Sequence, residues 1–284
     1  MSSALNNGQN KGDFADLALA RRLEWAEAQS NIEFIEARRR VLPASGATWI
    51  EVDGTAVMYD GSDSPCTQTF GLGMEGPATP AQLGQIEAFY RQFGSPVFHE
   101  VSPLAGIATH QLLSRSGYEP VELSSVMFRS LSDLHGEPTG VDVRRVTEGE
   151  YGDWAHLSAA GWAEYEEFAP LMAELALVMA SRRGSLSFLA EIDGRAVATA
   201  GLSIVRDVAL LTGASTIPEA RRQGAQRALL YRRLEAAAES GCALAMMCAA
   251  PGSASQRNAE REGFRIAYTR IKWQLVDDKD LNTA

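Results

Sequence analysis

Hydrophobic and polar positions alternate along the chain with two different periods. From Phe14 to about Arg40 the apolar residues recur with a helical spacing, which predicts either one helix or two helices divided near Ser30–Asn31. Farther along, Asp53-Gly54 and Asp193-Gly194 each separate two short β-type stretches, as the turn of a β-hairpin does. Helices and strands mixed in this way predict an α+β fold.

Each half of the chain shows strands and helices in a similar order. In the first half, the patterns predict helices at Ala81–Phe93 and Gly106–Arg115 and the strands Thr48–Val52, Thr55–Tyr59, Thr67–Leu72, Pro96–Val101 and Val121–Leu131. In the second half, they predict helices after the capping box Thr147–Glu150 and at Pro170–Met179, Gln223–Glu239 and Ser255–Arg261. The strands of that half are Val141–Val146, Leu186–Ile192, Arg195–Ile204, Ala209–Thr216, Ala243–Cys248 and Phe264–Val276.

The end of each half follows one order: helix, glycine, strand, helix, glycine, aromatic residue, strand. Gly94 and Gly117-Tyr118 mark these points in the first half, and Gly241 and Gly263-Phe264 mark them in the second. Any α+β chain repeats parts of this order, but the matched spacing favours an internal duplication. We therefore predict a disordered tail at residues 1–12, a first domain at 13–132, a linker at 133–140 and a second domain at 141–284.

The composition limits the classes of function. The 284 residues are 45% hydrophobic, and 26 Lys and Arg against 36 Asp and Glu give a net charge of −10. So acidic a chain is poorly suited to bind nucleic acid or an anionic membrane. The three cysteines and four histidines lack the spacing of metal ligands. We therefore expect no metal site. The sequence shows no signal peptide or membrane-spanning stretch, and its cysteines form no disulfide framework, so we expect a cytoplasmic protein.

The residues from Thr212 to Leu230 carry the clearest chemical signal. A strand of small and β-branched residues leads through a proline turn into a loop with glycine and arginines, and then into a long helix. Unpaired backbone N–H groups at a helix start bind phosphate oxygens readily. Gly224 allows close approach to an anion, while Arg221, Arg222 and Arg227 add positive potential. A solvated helix start is the competing interpretation.

Two motifs resemble those of the GCN5-related N-acetyltransferase (GNAT) superfamily. Ile217 to Gln226 resembles its acyl-CoA pyrophosphate loop, Arg/Gln-x-x-Gly-x-Gly/Ala, and Ser255 to Phe264 resembles its second motif, a short helix ending in Gly-Phe. The resemblance extends over about Val141 to Val276, and the first half is similar to a degenerate domain of the same kind. It implies two tandem domains, each with a mixed, mostly antiparallel sheet flanked by helices.

The resemblance also implies a reaction and a site. Acetyl-CoA would be the acyl donor, and an amine would attack its thioester directly. The strands Ala214–Thr216 and Ala243–Cys248 would diverge and leave backbone groups for pantetheine and for the thioester carbonyl. The residues implied in CoA binding are Ser215, Thr216, Ile217, Arg222, Gln223, Gly224, Ala225, Gln226, Arg227 and Asn258.

Two positions depart from the family pattern. Gln226 stands where the family has Gly or Ala, so its side chain must turn away from the pyrophosphate. Ala259 stands where many members have a tyrosine that protonates the CoA thiolate. Tyr268 and Ser255 are the two main candidates to replace that acid, with Ser253 and Asn258 as further ones, although a packing role competes for Tyr268.

The first half lacks the loop. The corresponding stretch, Gly71 to Pro80, has no arginine, and Glu75 would repel a pyrophosphate. We expect this half to serve the architecture or to shape a substrate cleft. The predicted function is N-acetyl transfer to an amine, either of a small molecule, such as an antibiotic-like amine or an amino acid, or of a peptide or protein; a homodimer is left open. The alternative is a non-catalytic acyl-CoA sensor or interaction module.

Overall fold

The computed structural model describes residues 15–132, 134, 140–162 and 169–276. The predicted tail and most of the predicted linker lie outside these residues. The described residues form seven α-helices: α1 (Leu17–Val41), α2 (Pro80–Arg91), α3 (Ile107–Arg115), α4 (Tyr151–Ala160), α5 (Ala169–Ala180), α6 (Ala225–Glu239) and α7 (Ala254–Arg261). They also form eleven strands: β1 (Thr48–Val52), β2 (Thr55–Tyr59), β3 (Gln68–Phe70), β4 (Phe98–Val101), β5 (Tyr118–Ser130), β6 (Asp142–Arg145), β7 (Ser185–Ile192), β8 (Arg195–Val205), β9 (Val208–Thr216), β10 (Leu244–Ala249) and β11 (Arg265–Leu275).

The first helical stretch is one unbroken helix. Asp16 caps α1, because its Oδ1 accepts a hydrogen bond of 2.8 Å from the Leu19 backbone N–H. Three arginines in the last turn, Arg38 to Arg40, complement the negative end of the helix dipole. The division considered near Ser30–Asn31 is absent from this helix, and Ser30 is fully buried within it.

Both predicted hairpins are present. In the β1–β2 turn, Asp53 and Gly54 have φ values of +46° and +77°, and in the β7–β8 turn, Asp193 and Gly194 have values of +51° and +75°. Positive φ at both central residues is the geometry that Asp-Gly favours in a two-residue hairpin turn. These turns fix the register of the two strand pairs.

All eleven described strands belong to one mixed sheet, ordered β1-β2-β3-β4-β11-β5-β10-β9-β8-β7-β6. The pairs β3–β4 and β9–β10 are parallel and the other pairs are antiparallel. Near its centre the halves exchange strands: β11 lies between β4 and β5, while β5 lies between β11 and β10. The boundaries predicted for two domains stay a prediction, but the final strand of each half pairs with strands of the other half.

Helices cover both faces of the sheet. Along β9, Leu210 packs in one core cluster with Leu23 of α1, whereas the next residue, Leu211, packs in another with Leu229 of α6. The alternation of side chains along a strand therefore places α1 and α6 on opposite faces. Among the described residues, no helix is long and apolar enough to cross a bilayer, and no cluster of metal-binding side chains occurs.

Candidate active site

The predicted divergence of two strands is present at the middle of the sheet. The parallel pair β9–β10 is hydrogen-bonded only from Val208 to Leu210 against Leu244 to Met246. Beyond Leu210, β9 stays paired with β8, and beyond Met246, β10 stays paired with β5. The gap between the two strands leaves edges of both with backbone groups that can bind a ligand.

A β-bulge shapes the β9 side of this gap. The register of β8 and β9 passes from Gly201–Thr212 to Thr199–Ser215, so β9 has two residues where β8 has one. Gly213 in this bulge has a φ of +61°, and a Cβ atom there would lie 2.6 Å from the Met179 sulfur. Bulges turn a strand's backbone groups in new directions. Here the bulge changes the direction of the β9 backbone groups where β9 separates from β10.

After β9, a short 3-10 turn at Pro218–Ala220 leads to the start of α6. Gly224 is the N-cap residue with a φ of +87°, and no described side chain caps the helix there. The first helical bond is from Ala228 N–H to Gly224 O, at 3.0 Å. The N–H groups of the first helical residues therefore lack helical partners and can bind an anion.

Gln226 and Arg221 tie this loop to its surroundings. The Gln226 side-chain amide donates to the Ser215 carbonyl at 2.9 Å and to the Thr216 hydroxyl at 2.7 Å. The Arg221 guanidinium donates to the Gly161 carbonyl at 3.0 Å. Together they line a groove of about 440 Å³ that runs past the end of β9. The Gln226 side chain thus lies against the strand.

The groove leads into a larger cavity of about 500 Å³ at the gap between β9 and β10. Trp162 and Ala214 line both spaces. Much of the cavity wall is apolar, with Phe34, Met172 and Leu175 among its residues. The described polar side chains in its wall include those of Glu27, Ser30, Asn31, Cys66, Ser158, Arg182, Thr212, Arg233 and Ser255. Helix α1 of the first half therefore forms part of the cavity wall. That this half shapes a substrate cleft stays a prediction.

Behind the cavity lies a buried charged group, which we call the Arg270 cluster: Arg270 with Glu24, Glu27 and Glu100. The Arg270 guanidinium contacts both carboxylate oxygens of Glu27, at 2.8 and 3.0 Å, and one of Glu100 at 2.9 Å. Burial raises the pKa of Glu24 to about 7, against the opposing effect of Arg270. One arginine thus faces three carboxylates at the contact between the halves.

Cys248 joins the cavity to the Arg270 cluster. Its thiol lies 3.4 Å from a Glu27 oxygen, as a hydrogen-bond donor. Burial, together with the nearby carboxylates, raises the pKa of this thiol well above its usual value. The sulfur therefore stays protonated near neutral pH and is a poor nucleophile.

The structure separates the two candidates for the acid. Ser255 is an exposed residue of α7 whose side chain lines the cavity. Tyr268 is buried on β11, and its hydroxyl donates to Glu24 at 2.8 Å. Burial, followed by the charge of Glu24, raises the pKa of Tyr268 well above its usual value. Tyr268 is not among the residues that line the cavity, and the part of either residue in a reaction stays a prediction.

The residues predicted to bind CoA fall into two groups. Ser215, Thr216 and Gln226 lie together at the groove, beside the Arg222–Ala225 loop. Three others do not line the groove: Ile217 is buried and its N–H donates to Val197 O, Arg227 pairs with Glu262 at 3.1 Å, and Asn258 accepts from Arg261 at 3.3 Å.

Sequence reasoning missed the contribution of α1 and of two buried arginines, although signals for them existed. Glu24 and Glu27 are three residues apart and fall on the same helical face as the apolar residue Leu23, so the sequence places two charges on the apolar face of α1. Arg233 lies four residues after Leu229, within the apolar stripe of α6. A charge within an apolar stripe indicates a buried and specific role. Arg182 follows α5 in a loop and offered no such signal.

Comparison with known proteins finds a family match in the second half and a similar fold over most of the chain. Residues 149–264 match the model of the acetyltransferase (GNAT) family. A GCN5-related N-acetyltransferase from Kribbella flavida matches the whole fold with a TM-score of 0.68 and 20% identity, covering 91% of this chain and 96% of its own. A tandem GNAT protein from the clavulanic acid biosynthesis pathway matches with a TM-score of 0.58 and 14% identity, covering 92% and 96%.

A third structure shares the fold under another name. The C-terminal domain (DUF2156) of a protein named Putative Lysylphosphatidylglycerol Synthetase, from Agrobacterium fabrum, matches with a TM-score of 0.53 and 12% identity, covering 88% of this chain and 94% of its own. A comparison with curated proteins found no match. Residues 149–264 therefore match the acetyltransferase (GNAT) family, in a chain whose fold is similar over about nine-tenths of its length to those of a GCN5-related N-acetyltransferase and a tandem GNAT protein.

Proposed function

We propose that the chain transfers an acetyl group from acetyl-CoA to an amine. The observation that carries this proposal is the continuity of the site: the uncapped start of α6, the groove along β9 and the cavity at the strand gap follow one another. An acyl-CoA is a long molecule with an anionic end and a reactive end. This arrangement offers an anion-binding helix start at one end and a space for an acceptor at the other.

The parts of the site take different steps of the reaction. The N–H groups at Gly224 to Gln226 would hold the pyrophosphate, and the backbone edges at the strand gap would hold pantetheine and polarise the thioester carbonyl. The acceptor amine would enter from the cavity, where Glu27 and Asn31 offer oxygen atoms for its protons. The thiol of CoA has a pKa near that of cysteine, about 8.5, so solvent or Ser255 can protonate the departing thiolate near neutral pH.

Gly224→Asp tests the assignment of the pyrophosphate site. A carboxylate at this position would face the phosphates, and like charges a few Å apart at a partly buried site repel strongly. We expect the affinity for CoA to fall by about 100-fold or more. Calorimetric titration with CoA measures this, and thiol release from acetyl-CoA over a panel of amines measures transfer.

Gly241→Asp is the matched control, because Gly241 follows the other end of α6 with a φ of +81° and open space around it. It adds the same charge and the same backbone strain away from the groove, so CoA affinity should stay unchanged. Equal CoA affinity in the unmodified protein and in Gly224→Asp would contradict the proposal. CoA binding without thiol release for any amine would favour the non-catalytic sensor instead.

A further inference from the structure

Two buried arginines line the cavity without a carboxylate partner. Arg182 and Arg233 are 7% and 5% exposed, and both contribute to the cavity wall. Among the described residues, neither forms a salt bridge, whereas Arg38 and Arg270, which are also buried, each contact carboxylates directly. Buried arginine is ordinarily paired, since an isolated buried charge is strongly unfavourable.

The contacts of Arg233 are with backbone carbonyl groups. Its Nε donates to Leu229 O on its own helix and its Nη1 donates to Gly201 O on β8, each at 3.2 Å. Gly201 pairs with Thr212 at the edge of the bulge, so the guanidinium lies at the gap on the α6 side. Its Nη2 group has no hydrogen-bond partner among the described residues.

Arg182 contacts the same Gly201–Thr212 pair from the other face of the sheet. Its Nη1 donates to the Ser30 hydroxyl at 2.7 Å, and its Nη2 donates to the Thr212 hydroxyl at 3.2 Å. Ser30 lies one helical turn after Glu27 on α1. The guanidinium of Arg182 therefore lies beside the part of the cavity in which an acceptor amine would meet Glu27.

The electrostatic balance of the cavity is positive. Glu27 is the single carboxylate among its described lining residues, and it faces two lining arginines while also contacting Arg270 at 2.8 and 3.0 Å. Burial lowers the pKa of Arg182 to about 10, against smaller opposing effects of Cys66 and Glu33, and burial alone lowers the pKa of Arg233 to about 10. Both stay charged at neutral pH, inside a chain with a net charge of −10.

We propose that the cavity binds the carboxylate of a substrate, with Arg182 and Arg233 supplying the positive charge. The inference rests on the proposed function. The carboxylate could belong to the acyl group, as in a dicarboxylic acyl-CoA, or to the acceptor, as in an amino acid. In either case the carboxylate takes no part in the reaction. The amine nitrogen bonds to the thioester carbon, the carbon–sulfur bond breaks, and the proton that the amine loses binds to the CoA sulfur.

Paired ligands of similar size test this on the unmodified protein. For the donor, calorimetry compares succinyl-CoA with butyryl-CoA; for the acceptor, it compares phenylalanine with phenethylamine in the presence of CoA. We expect the carboxylate to raise affinity at least about tenfold in one of these pairs, as charge-assisted hydrogen bonds to arginine do. The pair that shows the preference identifies the source of the carboxylate.

Variants then connect the preference to the two arginines. Arg233→Gln and Arg182→Gln should each reduce the preference several-fold, with Arg233→Gln acting mainly on the donor pair and Arg182→Gln mainly on the acceptor pair. Arg232→Gln is the matched control, because Arg232 is the neighbouring residue on α6 and pairs with Glu235 and Glu239 at the surface. It should leave the preference unchanged.

The outcomes separate this inference from the proposed function. Binding of acetyl-CoA with no preference in either pair would overturn the inference and leave the proposed function standing. A preference that survives in both arginine variants would also overturn it, since the two side chains would then not be its source. Failure of every CoA thioester to bind would overturn the proposed function, and the inference with it.

Discussion

Glu24 is a carboxyl group buried where α1 of the first half meets β11 of the second. It accepts the Tyr268 hydroxyl and lies 3.4 Å from Arg270, yet burial outweighs both and raises its pKa from 4.5 to about 7. The folded protein therefore binds this proton more tightly than the unfolded chain does. The stability that the protonated form contributes is present below about pH 4.5 and is lost as the pH rises through about 7.

Glu24→Gln tests this dependence, because glutamine keeps the size and an oxygen for Tyr268 but cannot titrate. Between pH 5 and pH 8, we expect the unmodified protein to lose about 1–3 kcal/mol of unfolding free energy relative to Glu24→Gln. Urea unfolding at several pH values measures the difference. Glu235→Gln, at an exposed position on α6, is the control. Parallel pH profiles for the unmodified protein and Glu24→Gln would contradict the argument.

At the residue scale, the sequence predicts the anion-binding loop better than it predicts the side chains that line the cavity. The loop from Arg221 to Gly224 could be found because phosphate-binding helix starts have a local pattern. The cavity wall could not, since Glu27 and Arg182 come together only through the packing of α1 on α5. The partner of Tyr268 is equally distant in sequence, so its burial against Glu24 was beyond any local pattern.

Among the elements, β9 pairs with two neighbouring strands over different lengths. It pairs with β8 along its whole length but leaves β10 after Leu210, and the bulge at Gly213 marks this change. Any side chain at Gly213 would meet Met179 of α5 and would hold a left-handed backbone conformation. Glycine therefore permits both the bulge and the close approach of α5.

Gly213→Ala is expected to destabilise the protein more than Gly252→Ala does. Both place a side chain at positive φ, but Gly252 has open space around it, whereas Gly213 faces Met179. We expect losses of about 2–4 kcal/mol for Gly213→Ala and about 1–2 kcal/mol for Gly252→Ala. Denaturant unfolding gives both values. Equal losses would show that the contact with Met179 relaxes at no cost.

Element order followed from the sequence because its signals are local. The hairpin turns and the capping box of Thr147 with Glu150 occur as predicted, since each depends on residues close together in the chain. The exchange of β5 and β11 could not be predicted. Both strands follow a glycine and an aromatic residue and alternate in the same way, so local pattern cannot decide which of them pairs with β4.

In the whole molecule, the two halves have a similar order of helices and strands but differ at the helix start that could bind an anion. In the second half, α6 begins at an uncapped glycine beside diverging strands. In the first half, α2 begins at Pro80, and the Thr79 hydroxyl accepts from the Gln82 N–H at 3.1 Å. The positive end of α2 is thus occupied by its own cap, and Glu75 adds negative charge before it.

One CoA per chain is the expected stoichiometry. The first half lacks both the arginines and the uncapped helix start that the proposed site uses, so it offers no equivalent place for a pyrophosphate. Calorimetric titration of the full chain with CoA should give a single site, and Gly224→Asp should weaken binding at that site by about 100-fold or more. Two equivalent sites would contradict the interpretation of the first half as degenerate.

The exchange of strands also bears on how the chain is made. Because synthesis proceeds from the N-terminus, β4 and β5 leave the ribosome long before β11, which fills the place between them. Until then both strands present unpaired edges that can pair with other chains. A product cut short before Arg265 would therefore have a gap in the middle of its sheet rather than a missing margin. Translation errors or proteolysis near the last strand would damage both halves at once.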